Sequence, residues 1–264
     1  MSKSTALTVI EDSSKYLPSQ QDIDTMMHDI GDIISRRIFG VVTIAGGGAG
    51  VFKVLEPGAE ETTNGVQSIE GVILAAHKVN VRWGHDYGSR QQGEQPVCRS
   101  LDGVTGIVLE TGETVQCETC PYNQYGENGQ RKACSNKHQL YILREGDLLP
   151  VLFSIPPTSL KAYNNYRIRA SVTMRCPMSA LVTRITLKNE VNKNGNEYST
   201  AVFTAIAKLP LEEGKRMEAF AAKIVDAAKR AGASADEIVN EGMQAPPASG
   251  SFVQVDDEDL PFEG

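Results

Sequence analysis

Four of the five cysteines lie close together in the chain, as Cys98, Cys117-Glu-Thr-Cys120 and Cys134. A Cys-x-x-Cys turn lets two thiolates converge on one ion, and two further cysteines can complete a tetrahedron around it. In a cytosolic protein this spacing indicates a metal before a disulfide. The sequence therefore predicts a structural Zn²⁺ ion held by Cys98, Cys117, Cys120 and Cys134, with His138 in place of Cys98 as the main variant. An iron–sulfur cluster and a redox-active dithiol are the alternatives.

The segment around these cysteines, residues 96–138, is rich in loop-forming residues. These are Gly103, Gly106, Gly112, Pro121, Gly126 and Gly129. Because the segment has too few apolar residues to fold alone, a metal is expected to hold it. Glu118 lies inside the turn, but neither the H-x-E motif of deaminases nor H-E-x-x-H is present, which predicts a closed, structural site. Cys176 stands apart and is expected to be a small buried hydrophobe.

Side chains suited to acid, base or nucleophilic catalysis are sparse. His28 falls on a helical face, His77 in a strand and His85 in a loop, and none has a recognisable partner spacing. No Asp or Glu pair lies in a motif for metal-dependent nuclease chemistry. The sequence predicts a binding protein rather than an enzyme.

Aromatic and basic residues alternate along the predicted β segments and one helix. This mixture suits base stacking combined with neutralisation of phosphates. For Trp83, packing in the core is an equal alternative. The candidate nucleic-acid-binding residues are Phe52, Lys53, Lys78, Arg82, Trp83, Tyr87, Tyr163, Tyr166, Arg167, Arg169, Arg184, Lys188 and Tyr198.

Charge is distributed unevenly. The chain of 264 residues carries a formal net charge of −7, but eight acidic residues and no lysine or arginine follow Arg230, so residues 1–230 carry +1. The stretch from Leu160 to Lys188 holds six basic residues and no acidic one. A basic body with a detached acidic tail suits a protein that binds a polyanion.

The tail itself combines an acidic run with a short apolar tip. Residues 244–251 read as a linker, and the segment that follows contains Asp256, Asp257, Glu258, Asp259, Leu260, Pro261 and Phe262. It resembles the C-terminal tail of bacterial and phage single-stranded-DNA-binding proteins, which recruit replication and repair enzymes through it. The resemblance covers about a dozen residues and implies that these seven side chains bind a partner protein. Unlike the usual tail, Glu263 and Gly264 follow Phe262.

The elements that must position these residues are read from hydrophobic periodicity. Helices are predicted over 23–39, 160–172 and 211–231, and strands over 40–45, 51–55, 68–83, 139–144, 148–155, 180–188 and 198–208. About seven short strands with few helices predict a mainly β (α+β) fold, and the tail resemblance points to an OB-like antiparallel β-barrel with a zinc-stabilised insert. The expected organisation is a flexible arm (1–20), a binding domain (21–232) with its insert at 96–138, and a disordered linker and tail (233–264).

Together these features predict a single-stranded-DNA-binding protein that coats DNA in replication or recombination and recruits partners through its tail. A zinc-ribbon replication or recombination mediator with little DNA contact is one alternative, and an unrecognised DNA-processing enzyme is another. No stretch approaches about 18 consecutive apolar residues and no signal-peptide core is present, so no membrane association is expected. The expected location is the cytoplasm of a bacterial host, with a phage or mobile element as a source. The oligomeric state stays open.

Overall fold

The computed structural model describes residues 7–10, 15–30, 38–85, 94–126, 131–192, 195 and 197–230. Tyr87 and the whole predicted tail, including residues 256–262, lie outside the described residues. Part of the predicted arm lies within them. There, Thr8 and Val9 pair with a strand near the end of the domain, and Tyr16 and Leu17 are buried. The described part of residues 1–20, predicted as a flexible arm, is therefore in contact with the sheet.

The described residues form twelve strands and three α-helices. In chain order they are β1 (Thr8–Val9), α1 (Gln20–Ile30), β2 (Val41–Ile44), β3 (Phe52–Leu55), β4 (Thr62–Val66), β5 (Ser68–Arg82), β6 (Cys98–Ser100), β7 (Thr105–Val108), β8 (Thr114–Gln116), β9 (Ser135–Leu143), β10 (Val151–Ile155), α2 (Leu160–Ile168), β11 (Leu181–Val191), β12 (Glu197–Lys208) and α3 (Leu211–Arg230). Among the described residues, no helix is both long and apolar enough to cross a bilayer.

Two hairpins follow directly from the sequence. Strands β11 and β12 pair antiparallel from Leu181 opposite Lys208 to Val191 opposite Glu197. Strands β2 and β3 pair antiparallel across a glycine turn, in which Gly47 and Gly48 have φ values of 66° and 67°. Residues with a side chain rarely adopt this left-handed backbone conformation, so the turn requires glycine at these positions. Both hairpins join strands that the sequence predicts, at 40–45 and 51–55 and at 180–188 and 198–208.

All twelve strands belong to one mixed sheet. Its main path is β1-β12-β11-β5-β9-β10-β2-β3-β4, and β6, β7 and β8 extend from β5. Two pairings are parallel, β1 with β12 and β2 with β10. The mainly β prediction is confirmed. The OB-like barrel is not, since β1 and β4 end the path without pairing to each other in the described residues, and the sheet is not closed.

Each face of the sheet carries its own hydrophobic cluster, because successive strand residues point to opposite faces. Tyr141 and Leu152 lie in one cluster together with Met217 and Ile224 of α3. Their strand neighbours belong to the other cluster, which includes Tyr163 and Tyr166 of α2. The sheet is therefore covered by α3 on one face and by α2 on the other. The last residues of β5 pair with β6, and the cysteine segment lies at this end of the sheet.

Candidate functional site

The four cysteines predicted as metal ligands line a single cavity of about 370 Å³. Cys98 begins β6, Cys117 and Cys120 flank the turn after β8, and Cys134 immediately precedes β9. Four sulfur-bearing side chains from three chain segments thus converge at the end of the sheet. The sequence spacing alone suggested this grouping, and the fold provides it.

Gly106 in β7 marks the space that the sulfur atoms share. A Cβ atom at this position would lie 3.1 Å from the Sγ atom of Cys98 and 3.6 Å from that of Cys117. The missing side chain leaves room beside both thiols, which fits a tetrahedral thiolate site. In the part of the chain that the structure describes, no three His, Cys, Asp or Glu side chains are gathered closely enough to hold a metal. The four thiols thus line one cavity, but as placed they do not meet closely enough to hold an ion.

The thiols also affect one another electrostatically. Burial, followed by the nearby thiols of Cys117 and Cys98, raises the pKa of Cys134 to about 11. Burial and then the thiols of Cys117 and Cys120 raise the pKa of Cys98, against the opposing influence of Arg82. Four thiolates in this space would repel one another. A divalent cation would remove that repulsion, and its binding would release the thiol protons.

Hydrogen bonds tie the turn between Cys117 and Cys120 to the segment that carries Cys134. Residues Pro121–Asn123 form one turn of 3₁₀ helix, and the side-chain amide of Asn123 donates to the Cys117 carbonyl oxygen over 2.7 Å. The backbone N–H of Cys134 donates to the Tyr122 carbonyl oxygen over 2.8 Å. We refer to residues 117–123 as the cysteine knuckle.

Two other residues with a predicted thiol or imidazole role, His138 and Cys176, lie outside the cysteine cavity. His138 lies on β9 with its ring edge against Tyr163, 5.9 Å between centroids, and it does not line the cysteine cavity. The geometry therefore favours Cys98 over His138 as the fourth ligand. Cys176 is partly buried and its thiol faces the Ala180 carbonyl oxygen at 3.8 Å, away from the cavity. All five cysteines are free thiols.

The structure corrects the expectation that four aromatic residues present faces to DNA. Phe52 and Tyr163 are fully buried, Tyr166 is 2% exposed and Trp83 is 9% exposed. Phe52 packs edge-on against Phe153. Because a base could reach these rings only if the core opened, we leave them out of the proposed interface.

Three other candidate DNA-binding residues form hydrogen bonds with carboxylates. The guanidinium of Arg184 donates to Glu70 over 2.6 Å, and the ammonium of Lys188 donates to Glu190 over 3.1 Å. The hydroxyl of Tyr198 also donates to Glu190, over 3.1 Å. A phosphate would have to compete with these carboxylates. Lys53 is partly buried on β3, and Arg169 is exposed immediately after α2.

A row of polar side chains connects the cysteine knuckle with α2. Alternate residues of β5 and β9 share one face here, and their pairs are Lys78 opposite His138 and Asn80 opposite Asn136. We call these four residues, together with Arg82, the polar strip. Its members lie on the face that α2 covers farther along the sheet.

Hydrogen bonds connect one end of the polar strip with the knuckle, and nearby positive charges act on the other end. At one end, the Asn136 amide donates to Asn80 over 2.7 Å and to Asn123 of the knuckle over 2.8 Å, and Lys132 donates to Asn136 over 3.2 Å. At the other end, burial lowers the pKa of His138, and the positive charges of Arg167 and Lys78 lower it further. The cations of β5, of α2 and of the segment before β9 thus share one surface.

Two exposed aromatic residues beside this surface were missed by the sequence reasoning. Tyr122 is 50% exposed and Tyr125 is 72% exposed. The Arg82 guanidinium lies 3.9 Å from the ring centroid of Tyr122, and the Lys132 ammonium lies 5.0 Å from that of Tyr125. Their exposure could have been predicted from their position in Pro121-Tyr-Asn-Gln-Tyr125. This segment belongs to an insert that has no core into which an aromatic ring could pack.

Comparison with known proteins identifies no relative: no family model, no curated protein and no solved structure matches the chain. What the protein does must be inferred from the cysteine cavity, the polar strip and the rings beside them.

Proposed function

We propose that this protein binds single-stranded DNA along the polar strip and coats it during replication or recombination. A Zn²⁺ ion held by Cys98, Cys117, Cys120 and Cys134 would fix the knuckle at one end of the DNA path. The acidic tail would recruit partner proteins to the complex. In this proposal the protein is not an enzyme.

The observation that carries the proposal is a set of cations without counter-ions. Lys78, Arg82, Lys132 and Arg167 come from three separated segments and meet along the polar strip. Within the described ranges, none of the four forms a salt bridge with a carboxylate, whereas Arg184 and Lys188 do. A phosphate backbone supplies the missing negative charges and releases its own counter-ions.

The proposed zinc ion has a structural role here. It would cross-link β6, the knuckle and the start of β9, and so hold Asn123 against the polar strip through Asn136. Glu118, the one carboxylate inside the knuckle, is exposed on its surface. When bound, the ion supplies charge neutralisation for the thiolates and rigidity for the insert.

An OB-like relationship remains part of the proposal. Support comes from β5, which pairs along one edge first with β11 and then with β6, and along its other edge with β9. Its register with β9 shifts between Ile73 and Ala75. Long strands with such a bulge and with changing partners are typical of strongly curved sheets.

The test is a fluorescence anisotropy titration of labelled dT15 at several salt concentrations. We expect steep salt dependence, and we expect replacement of Lys78 or Arg167 by alanine to reduce the slope by about 0.7 per lost phosphate contact. Lys215→Ala is the matched control, because Lys215 pairs with Glu212 on exposed α3 and should leave the slope unchanged. No measurable affinity for dT15 would overturn the proposal and favour the mediator alternative. Metal-dependent DNA turnover would instead reveal an enzyme.

The role of the tail is tested by deleting residues 254–264, which removes five acidic residues. Metal content and melting temperature should not change. Affinity for dT15 should stay equal or rise at low salt, since the tail no longer competes with phosphates, and the difference should vanish at high salt. Recruitment of partner proteins should be lost. Weaker DNA binding after the deletion would contradict this role.

A further inference from the structure

We infer that Tyr122 and Tyr125 form a stacking platform for unpaired nucleobases, so that the insert selects single strands over duplex. This inference rests on the proposed function, and it assigns a separate task to a separate surface. The cations of the polar strip attract any phosphate backbone. The two rings would add a contact that only an unstacked base can make.

Exposure singles out these two rings. Among the described residues, Tyr122 and Tyr125 are the two aromatic side chains that appear with the exposed large hydrophobic residues; the others of that group are aliphatic. Most of the other aromatic rings in the described residues, such as Tyr141 and Phe153, belong to the two core clusters. Since leaving a large apolar ring in water is unfavourable, a pair of them beside cations that form no salt bridge within the described residues indicates a binding surface.

A cationic side chain lies over each of the two tyrosine rings. The guanidinium of Arg82, a member of the polar strip, lies 3.9 Å from the Tyr122 centroid, and Lys132 lies 5.0 Å from that of Tyr125. A nucleotide presents a flat base and a negative phosphate a few ångströms apart. A tyrosine with a cation beside it matches both parts of this ligand. A DNA strand whose phosphates follow the polar strip therefore brings its bases to the rings.

The backbone at Tyr122 is held in place before any ligand arrives. Its carbonyl accepts the Cys134 N–H over 2.8 Å, and the following residue, Asn123, bonds the Cys120 carbonyl through its N–H over 2.9 Å. The Asn123 side chain also donates to the Cys117 carbonyl over 2.7 Å. A ring on such a fixed turn loses little conformational freedom when a base stacks on it. The cysteine knuckle thus holds Tyr122, one of the two rings of the platform, in a fixed position.

The experiment compares three ligands that share the same kind of sugar–phosphate backbone: labelled dT15, an abasic 15-mer and a 15-base-pair duplex. The variants are Tyr122→Leu and Tyr125→Leu, which remove the aromatic face, with Tyr122→Phe and Tyr125→Phe as matched controls that keep it. Each leucine variant should weaken dT15 binding by about tenfold, within the range known for one stacked base. Binding of the abasic strand and the duplex should change less than twofold. The phenylalanine variants should bind dT15 like the unaltered protein.

Each other result overturns the inference. Equal losses on dT15 and on the abasic strand would mean that the tyrosines act through the phosphate contacts or the fold. Unchanged dT15 binding in all variants, with salt dependence intact, would remove the platform and leave the proposed function standing. Absence of dT15 binding by the unaltered protein would remove both. Metal content and circular dichroism of every variant show whether the insert and the sheet are intact.

Discussion

The body of the sheet and the cysteine insert are stabilised in different ways. In the body, Leu140, Leu152, Ile155 and other large side chains are completely buried between the strands and α2 or α3. In the insert, among the described residues of 96–138, the buried apolar side chains are Pro96 and Cys117, while Val104 is 60% exposed. The described part of the insert has almost no core of its own, and in our proposal the zinc ion supplies the cross-link that its three short strands lack.

Because of this difference, we expect stability to depend mainly on the body and ligand binding mainly on the insert. Substitutions in the body should change the free energy of unfolding, and substitutions in the insert should change metal content and DNA affinity. The two regions meet along β5, which belongs to the central sheet at Val72 and to the insert at Asn80. Changes that affect both regions should therefore be confined to β5 and to the adjacent part of β9.

The largest effect on stability is expected from a cavity in the body. Phe153 in β10 is 1% exposed and packs edge-on against Phe52 at 5.9 Å. Phe153→Ala should lower the free energy of unfolding by about 3–5 kcal/mol, measured by urea denaturation. The matched truncation in the insert is Val104→Ala, which should change stability by less than about 0.5 kcal/mol because Val104 is exposed. Similar losses in both variants would show that the insert shares the stability of the core.

An intermediate effect is expected from acidification through His77, where β5 approaches the insert. Burial, followed by the charge of Lys229, lowers its pKa to about 4 against the opposing charge of Asp102. In the part of the chain described, neither ring nitrogen has a hydrogen-bond partner. The unfolded chain takes up a proton near pH 6.5 and the folded protein only near pH 4. Stability is therefore full above about pH 6.5 and falls as the pH drops towards 4, by at most about 3 kcal/mol and less where solvent reaches the ring.

The measurement is urea denaturation between pH 7.5 and 4.5 for the unaltered protein and for His77→Leu. The variant should lose less stability on acidification. Any acid-induced loss of metal is common to both proteins, so their difference isolates the imidazole. Identical pH profiles would show that His77 can be protonated inside the fold at little cost.

Substitution of a cavity cysteine is expected to have the smallest effect on global stability. The same substitution should remove the bound metal completely. Cys117→Ser should abolish zinc binding, measured by elemental analysis, and should make the insert susceptible to limited proteolysis. The free energy of unfolding of the sheet should change by about 1 kcal/mol or less, since the substitution is nearly isosteric. Cys176→Ser, outside the cavity, is the control and should retain the metal. Full metal content in both Cys117→Ser and Cys134→Ser would disprove the proposed site.

Sequence patterns predicted what is local in this fold. The runs 180–188 and 198–208 predicted β11 and β12, and the helical period after Pro210 predicted α3. The Cys-x-x-Cys spacing located the cavity in the same way. In each case the information lies within about 30 residues. Short strands such as β6 and β8, three residues each, are below the length at which alternation can be recognised.

What the sequence did not predict depends on contacts between distant segments. Tyr163 and Tyr166 lie three residues apart on α2, so one helix face was evident, but the sheet that covers this face comes from elsewhere in the chain. The same applies to Trp83, whose burial at a strand end could not be distinguished from exposure. The platform residues Tyr122 and Tyr125 were overlooked for the opposite reason. Their exposure follows from the lack of a core in the insert, which is evident only when the neighbouring strands are placed.

The parallel pairing of β2 with β10, in which Val41 lies beside Leu152, sets an order of events during synthesis. The β2–β3 hairpin leaves the ribosome long before β10 exists. At roughly 5–20 residues per second, the nascent chain waits about 5–20 s for its partner strand. During this time one edge of an apolar hairpin has no neighbour, and unpaired strand edges are sites of aggregation. A chain interrupted before residue 151 can therefore never cover that edge, whatever happens at the cysteine cavity.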